Sequence, residues 1–229
     1  TPKSEVPAHS TDVGGNIDPS TIHTAMIVIN SPHNPAGSTL SGSDLAELSQ
    51  LAELHDLLVV SDEVYEHLIY DGLTHHSVLQ YPGLRERSFA LSSFGKTFSV
   101  TGWKTGYCVA APQLTAELRK VHQFVCFVAV TPVQQALADF MAQEPDYPAT
   151  LAGFYQAKRD LFCQALADSR FTFTPSAGTY FQLLDYNAII GTADECREKL
   201  KWAMVEAMAI KPERHNFTPG EQPQIRRFM

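Results

Sequence analysis

The chain has 229 residues, of which 44% are hydrophobic, and its 25 acidic and 17 basic side chains give a formal net charge of -8. This length supports one good core, or one large and one small domain. The acidic balance argues against nucleic-acid and anionic-membrane binding, and no apolar run approaches the length of a membrane span. The cysteines include no Cys-x-x-Cys pair, which favours a reduced, cytoplasmic chain, and no ligand spacing favours a metal site.

The first half of the sequence alternates apolar runs with one amphipathic segment. The runs at 25–29 and 57–60 are short and continuous, which is typical of buried parallel strands. Between them, Ser41 with Asp44 three residues later predicts the capped start of a helix. Two further apolar runs, 89–91 and 106–110, predict a third and a fourth strand. Because a strand, a helix and a strand in this order form a βαβ unit, we expect an α/β fold with a mainly parallel sheet.

The second half of the sequence is mainly helical. Helical spacing predicts helices over 114–121 and 151–166. A further helix is predicted to begin at Thr131 as its cap, with Pro132 in the first helical position. The segments 171–173 and 179–184 are predicted strands around a turn. The proline-containing stretch 144–148 breaks the helical pattern. We therefore predict a large domain at 1–146 and a small C-terminal domain at 147–229.

Polar side chains follow three of the predicted strands. Asn34 lies in a proline-rich turn after the first strand, where Asn34–Pro35 is a plausible cis peptide. Asp62 and Tyr65 follow the second strand. The segment after the third strand contributes Ser93, Lys96 and Lys104. Because the carboxyl ends of parallel strands line one crevice, we expect these side chains to converge.

This set of side chains suits pyridoxal phosphate. Lys96 supplies the amine that a Schiff base with the cofactor aldehyde requires. Asp62 follows a fully apolar run, and a buried carboxylate there can keep the pyridine nitrogen protonated. Asn34 and Tyr65 can donate hydrogen bonds to the ring oxygen of the cofactor. Ser93 and Lys104 can donate to its phosphate.

The motifs that carry these residues resemble those of the fold-type I, class I/II aminotransferases. They are Asn-Pro-x-Gly from Asn34, Ser-Asp-Glu-Val-Tyr from Ser61, and Ser-x-Gly-Lys-Thr-Phe-x-x-Thr-Gly-Trp-Lys from Ser93. The resemblance covers residues 24–185 and is closest to the methionine, kynurenine and glutamine aminotransferase branch. It implies a three-layer α/β/α large domain around a mainly parallel sheet, with a smaller α+β domain after it.

The resemblance also implies roles for individual residues. Lys96 is the expected Schiff-base lysine and proton shuttle, and Asp62 and Tyr65 act with it in catalysis. Asp62 pairs with the pyridine nitrogen, and Tyr65 and Asn34 bind the ring oxygen. Ser93 and Lys104 bind the phosphate, while Arg226, with Asn34, binds the substrate. Arg226 lies in an Ile-Arg-x-x-Phe-like segment, although 187–224 departs from the family pattern.

For the whole protein, the resemblance implies that it transfers an amino group from an L-amino acid to a 2-oxo acid. The implied amino acids are of methionine, glutamine or aromatic type. Family members are usually homodimers, so we expect a homodimer that binds these small molecules and neither nucleic acid nor membrane. They also carry a long N-terminal part and a final helix that this sequence does not match. Either the chain is a fragment or segments are left out of it.

Other interpretations remain open. A C–S β-lyase with the same cofactor shares the first proton abstraction, and a non-catalytic sensor domain of a regulator would keep the cofactor site. Gly95-Lys96-Thr97 resembles the end of a nucleotide-binding P-loop, but Ala90 stands where that motif needs a glycine. Individual residues have structural alternatives too: Asp62 and Ser93 as caps, and Lys104 and Arg226 as surface charges.

Overall fold

Four strands form a single sheet in the computed structural model, which describes residues 25–185. The first three strands run parallel: β1 (Met26–Asn30), β2 (Leu58–Asp62) and β3 (Ser88–Ser93). The edge strand β4 (Gly106–Ala110) is antiparallel to β3, because two short helical turns and no crossover helix connect them. The prediction of an α/β fold with a mainly parallel sheet is confirmed.

Six helices accompany the sheet in this part of the chain. They are α1 (Gly42–Leu54), α2 (Pro82–Arg85), α3 (Phe94–Thr97), α4 (Pro112–Val125), α5 (Thr131–Gln143) and α6 (Tyr147–Ala165). The capping box of α1 forms as predicted, since Ser41 N donates to Asp44 Oδ2 and Asp44 N to Ser41 Oγ. The predicted cap Thr131 is instead the first residue of α5, after Val130. Within residues 25–185, no helix is long and apolar enough to cross a membrane.

The main core lies between one face of the sheet and α1 and α2. It consists of Leu45, Ala52, Leu57, Val59, Val78, Leu84 and Ala90. The continuous apolar run of β1 predicted burial on both faces, and this was wrong for the described residues: Val28 is 71% exposed and Met26 44%. Ile27 and Ile29, which alternate with them, pack on the core. In these residues the helical layer of α1 and α2 therefore covers only one face of β1.

The C-terminal strands predicted at 171–173 and 179–184 do not form as regular strands. Thr172 and Asp185 make an isolated bridge, with N···O distances of 3.0 and 2.7 Å. The backbone of the segment 176–182 instead forms hydrogen bonds with distant loops. Gly178 N donates to Gly37 O and Thr179 N donates to Leu68 O, each at 2.9 Å. These long-range bonds outweigh the local strand preference of the sequence. Residues 186–229 lie outside the described part of the chain.

Candidate active site

The turn after β1 is tied to the end of β2. Asn30 Nδ2 donates to the Asp62 carbonyl at 3.0 Å, and Ser31 N donates to the same oxygen at 3.1 Å. Asn34 N in turn donates to Asn30 Oδ1 at 2.8 Å. The Asn34–Pro35 peptide is cis, as predicted. These bonds carry the amide side chain of Asn34 to the carboxyl end of the neighbouring strand.

Asp62 closes β2 and is partly buried. Its Oδ1 accepts a hydrogen bond from Val64 N at 3.2 Å, so it does cap the following turn, as the structural alternative proposed. A carboxylate offers about four lone-pair sites. The capping bond therefore leaves Asp62 with the capacity to bind a ligand in the cavity that it lines.

Glu63, next to Asp62, points into the protein instead. The side chain is 4% exposed, and its Oε1 accepts from Ser61 Oγ at 2.9 Å and from Val78 N at 3.0 Å. His75 Nε2 lies 2.9 Å from Oε2. Burial raises the pKa of Glu63, but hydrogen bonds from His75, Ser77 and Val78 outweigh it and lower the pKa overall. Glu63 thus fastens the crossover segment to the strand that ends in Asp62.

Tyr65 is almost fully buried, with 1% of its surface exposed. Its hydroxyl donates to the hydroxyl of Tyr180 at 3.3 Å, and the two rings pack edge to face with centroids 5.2 Å apart. Burial, followed by the hydrogen bond with Tyr180, raises the pKa of Tyr65. Tyr65 is therefore a neutral phenol, able to donate one hydrogen bond.

Lys96 lies in α3, directly after β3. Ser93 caps this helix, its Oγ accepting from Gly95 N at 3.1 Å. Thr101 Oγ1 donates to Gly95 O at 3.0 Å, and a Cβ on Gly95 would come within 3.0 Å of Thr101 Cα. Glycine is therefore the residue that lets the loop fold back on itself. The Lys96 Nζ lies 5.9 Å from the ring centroid of Tyr65 and 5.7 Å from that of Tyr180.

One cavity of about 610 Å³ brings most of the predicted site residues together. Asn34, Asp62, Tyr65, Ser93 and Lys96 all line it, together with His33. Lys104 does not line it: the residue is exposed, with a φ of 53°, at the end of a 3-10 turn. Arg226 lies outside the described residues.

The donors and acceptors of this cavity fit pyridoxal phosphate. An amine, a carboxylate and a phenol, from Lys96, Asp62 and Tyr65, line one space. Those are the groups that the aldehyde, the ring nitrogen and the ring oxygen of the cofactor require. The Ser93 hydroxyl accepts the capping bond with its oxygen, so its proton stays available for a phosphate oxygen.

A second cavity, of about 540 Å³, lies between α6 and the segment 176–182. Its walls are mainly aromatic and aliphatic, with two cations: Arg159 is paired with Asp71 and Asp160, and Lys158 lies over the ring of Phe154. The Lys96 cavity combines an amine with a carboxylate, whereas no carboxylate from residues 25–185 lines the second cavity. Tyr180 lines the second cavity and reaches Lys96 from it.

Sequence reasoning missed two residues of this region. The sequence pattern predicts a strand at Tyr180 and no role for it, and only its tertiary position shows that it contacts Tyr65 and Lys96. Glu63 was noted only as part of a motif. The signal that could have singled it out is its place next to Asp62, three residues after the fully apolar run 57–60.

An α/β fold with a lysine, a carboxylate and a phenol at adjacent strand ends defines the class of pyridoxal-phosphate-dependent enzymes of fold type I. The chain belongs to one family of that class: the family model described as aminotransferase class I and II matches residues 10–227. The predicted family and fold class are confirmed, and fold-type I aminotransferases use pyridoxal 5'-phosphate.

Several characterised relatives are similar to the chain. It is 46% identical over 183 residues to a methionine aminotransferase of Escherichia coli K12, covering 80% of this chain and 47% of that protein. It is 37% identical over 179 residues to a kynurenine–oxoglutarate transaminase of Dictyostelium discoideum, covering 76% and 41%. The chain thus spans about half the length of these relatives.

Solved structures agree with the sequence similarity. The crystal structure of a methionine aminotransferase from Escherichia coli superposes with a TM-score of 0.73 at 46% identity, covering 80% of this chain and 48% of that one. An N-succinyldiaminopimelate aminotransferase from Mycobacterium tuberculosis gives a TM-score of 0.71 at 34% identity, covering 80% and 47%. The described residues therefore have the fold of this enzyme family.

Proposed function

We propose that the protein is a pyridoxal-phosphate-dependent aminotransferase, which moves an amino group from an L-amino acid to a 2-oxo acid. The observation that carries the proposal is the single cavity shared by the Lys96 amine, the Asp62 carboxylate and the Tyr65 phenol. Membership of the aminotransferase family supports it.

The residues of the cavity divide the work of holding the cofactor. Lys96 would bond to its aldehyde carbon, Asp62 would face the ring nitrogen, and Asn34 and Tyr65 would donate to the ring oxygen. Ser93 and Lys104 would bind the phosphate, which requires the exposed Lys104 side chain to turn toward it. The bound cofactor supplies an electron-withdrawing ring.

Lys96 has a second task during the reaction. Once the incoming substrate has released it, the Lys96 amine would take the α-proton of the amino acid and deliver that proton to the former aldehyde carbon of the cofactor. Asp62 would favour a protonated ring nitrogen by its charge, and Tyr65 would donate to the ring oxygen when its proton is not donated to Tyr180. Arg226 would bind the substrate carboxylate, assisted by Asn34, through the paired N–H groups of a guanidinium.

The substrate, the assembly and the domain division are part of the same proposal. Similarity to a methionine aminotransferase favours methionine, with glutamine and aromatic amino acids next. We propose a homodimer, supported by exposed apolar side chains at the end of α4 and beyond it: Phe124 (85%), Val125 (74%) and Phe127 (81%). The domain border is proposed at 146/147, and a cytoplasmic location is proposed from cysteine usage.

The test is to reduce the protein with borohydride in the presence of pyridoxal phosphate and to analyse its peptides by mass spectrometry. The cofactor should be fixed to the peptide that contains Lys96. In a separate sample that has not been reduced, adding L-methionine without a 2-oxo acid should bleach the visible band of the bound cofactor in one turnover. Attachment at another lysine, or none, would contradict the proposal, and pyruvate and ammonia from a cysteine conjugate would instead indicate the β-lyase.

A further inference from the structure

Within residues 25–185, Tyr180 is the one aromatic residue that contacts both Tyr65 and Lys96 of the Lys96 cavity. It accepts the hydroxyl proton of Tyr65 at 3.3 Å, and its ring centroid lies 5.7 Å from Lys96 Nζ. A phenol has one proton to donate. While Tyr65 donates to Tyr180, that proton is not available to another acceptor in the cavity.

The backbone directly before Tyr180 is held by several hydrogen bonds. Tyr70 N donates to Ala177 O at 2.9 Å, and the Tyr70 hydroxyl donates to Thr179 O. Thr179 is 1% exposed and has a φ of 64°, a left-handed conformation that only surrounding contacts can maintain in a β-branched residue. The backbone that carries Tyr180 is thus fixed by these contacts, while Tyr180 itself is 40% exposed.

Arg159 of α6 adds a second anchor. Its Nη1 donates to Ser176 O at 2.7 Å, and its guanidinium makes paired bonds of 2.6 and 2.7 Å to Asp71. The side chain is 8% exposed and lies over the ring of Tyr70, 5.0 Å from its centroid. This cluster joins the loop after β2, helix α6 and the segment 176–182, which contains Tyr180.

An aromatic ring within about 6 Å of an ammonium group stabilises the charged form of that group. The ring of Tyr180 satisfies this distance for Lys96. The other titratable groups that line the cavity are Asp62 on β2, Tyr65 in the following turn and His33 after β1. Of these, the ring of Tyr65 also lies near Lys96, with its centroid 5.9 Å from Nζ, so the part played by Tyr180 has to be measured by difference.

We propose that Tyr180 is a positioning residue of the active site, which engages the hydroxyl of Tyr65 and stabilises the protonated amine of Lys96 through its ring. This role rests on the proposed function for its catalytic meaning. The hydroxyl and the ring make separate contributions, so two variants separate them. Tyr180→Phe keeps the ring and removes the acceptor for Tyr65, whereas Tyr180→Leu removes both.

The test measures the protonation of Lys96 in the protein without cofactor. The rate at which an amine-selective acylating reagent modifies Lys96 is followed against pH by mass spectrometry of its peptide. Tyr180→Leu should lower the midpoint by about half a pH unit, a two- to fivefold shift in the protonation equilibrium. Tyr180→Phe should leave that midpoint close to the wild-type value. Tyr155→Phe, which removes a hydroxyl from a ring 6.0 Å from Tyr180, is the matched control.

The hydroxyl has its own readout in the protein loaded with cofactor. Tyr180→Phe should move the pH midpoint of the visible band downward, because the freed Tyr65 proton can stabilise the anionic ring oxygen. Unchanged midpoints in both experiments would overturn the role of Tyr180. If borohydride fails to fix the cofactor at Lys96 in the wild type, the proposed function fails, but the experiment without cofactor still decides the ring effect.

Discussion

The surroundings of Lys96 consist of two walls that are built in different ways: a strand-end wall that lines the Lys96 cavity, and a second wall, the segment 176–182, whose Tyr180 reaches Lys96 from the neighbouring cavity. Asp62 and Ser93 stand at the last positions of β2 and β3, where strand pairing alone brings them to one edge. Tyr180 belongs to a segment without regular secondary structure, held by bonds to residues more than a hundred positions earlier, such as Leu68 and Gly37. The first wall is therefore set by local pattern and register, and the second by long-range contacts.

This difference separates two kinds of mutational effect. Substitutions on the strand-end wall should change chemistry while the fold persists, because none of the described buried residues of the main core lines the cavity. Substitutions that release the segment 176–182 should reduce stability first and activity as a consequence. The following variants test that distinction.

Lys96→Ala should have the largest effect on activity. It removes both the covalent attachment point and the proposed proton carrier, so kcat should fall about a thousandfold or more, with little change in the free energy of unfolding. Steady-state kinetics with L-methionine and a 2-oxo acid measure the loss. Lys158→Ala is the matched control, since Lys158 lies over the ring of Phe154 and not in the Lys96 cavity.

Asp62→Asn should come next, with a loss of kcat of about a hundredfold or more. The amide keeps the shape and the capping acceptor for Val64, but it lacks the charge that favours a protonated ring nitrogen. Cofactor binding, followed by visible absorbance, should persist because the phosphate contacts are unchanged. A variant with near-normal kcat would remove Asp62 from the mechanism, and Asp139→Asn on the exposed surface of α5 provides the control.

The same contrast explains what sequence alone could predict. The strand-end residues could be placed because an apolar run followed by a polar residue fixes both the strand and its end, as with Val60 and Asp62. Tyr180 could not, because its position depends on bonds that Gly178 and Thr179 donate to the carbonyls of Gly37 and Leu68, and no local pattern encodes these bonds. The exposure of Val28 was also missed, since a continuous apolar run does not show which face is covered.

Gly37→Ala should show the sensitivity of the second wall. Gly37 has a φ of 68°, and a Cβ there would overlap the side chain of Ser176, which belongs to the Tyr180 segment. The left-handed conformation costs a non-glycine residue about 1–2 kcal/mol, and the overlap adds about 1–3 kcal/mol. Gly72→Ala isolates the first term, because Gly72 has a φ of 72° and nothing within 4 Å of its Cβ position.

Urea unfolding of the two glycine variants gives the difference directly. Gly37→Ala should be less stable than Gly72→Ala by the overlap term, about 1–3 kcal/mol. Equal losses would mean that Ser176 moves aside freely and that the segment is less tightly held than its hydrogen bonds indicate. In that case the structural distinction between the two walls would not extend to their energetics.

Glu63→Gln should have the smallest effect, and one that depends on pH. Glu63 supports the strand-end wall from behind, and folding lowers its pKa below the ordinary value of 4.5. A lowered carboxyl pKa contributes stability above that value and loses it as the pH falls through the folded-state pKa. At pH 7 the variant should therefore lose about 1–3 kcal/mol, because the buried carboxylate accepts from Ser61 and Val78 and faces His75.

Urea unfolding at pH 7 and at pH 4 measures this dependence, with Glu47→Gln on the exposed side of α1 as the control. The gap between wild type and Glu63→Gln should narrow at the lower pH, where the wild-type carboxylate begins to take up its proton. Activity per folded molecule should stay within about twofold. A large loss of kcat in fully folded protein would instead show that the Glu63 side chain controls the chemistry of Asp62. The strand-end wall would then depend on contacts from the protein interior as well as on strand pairing.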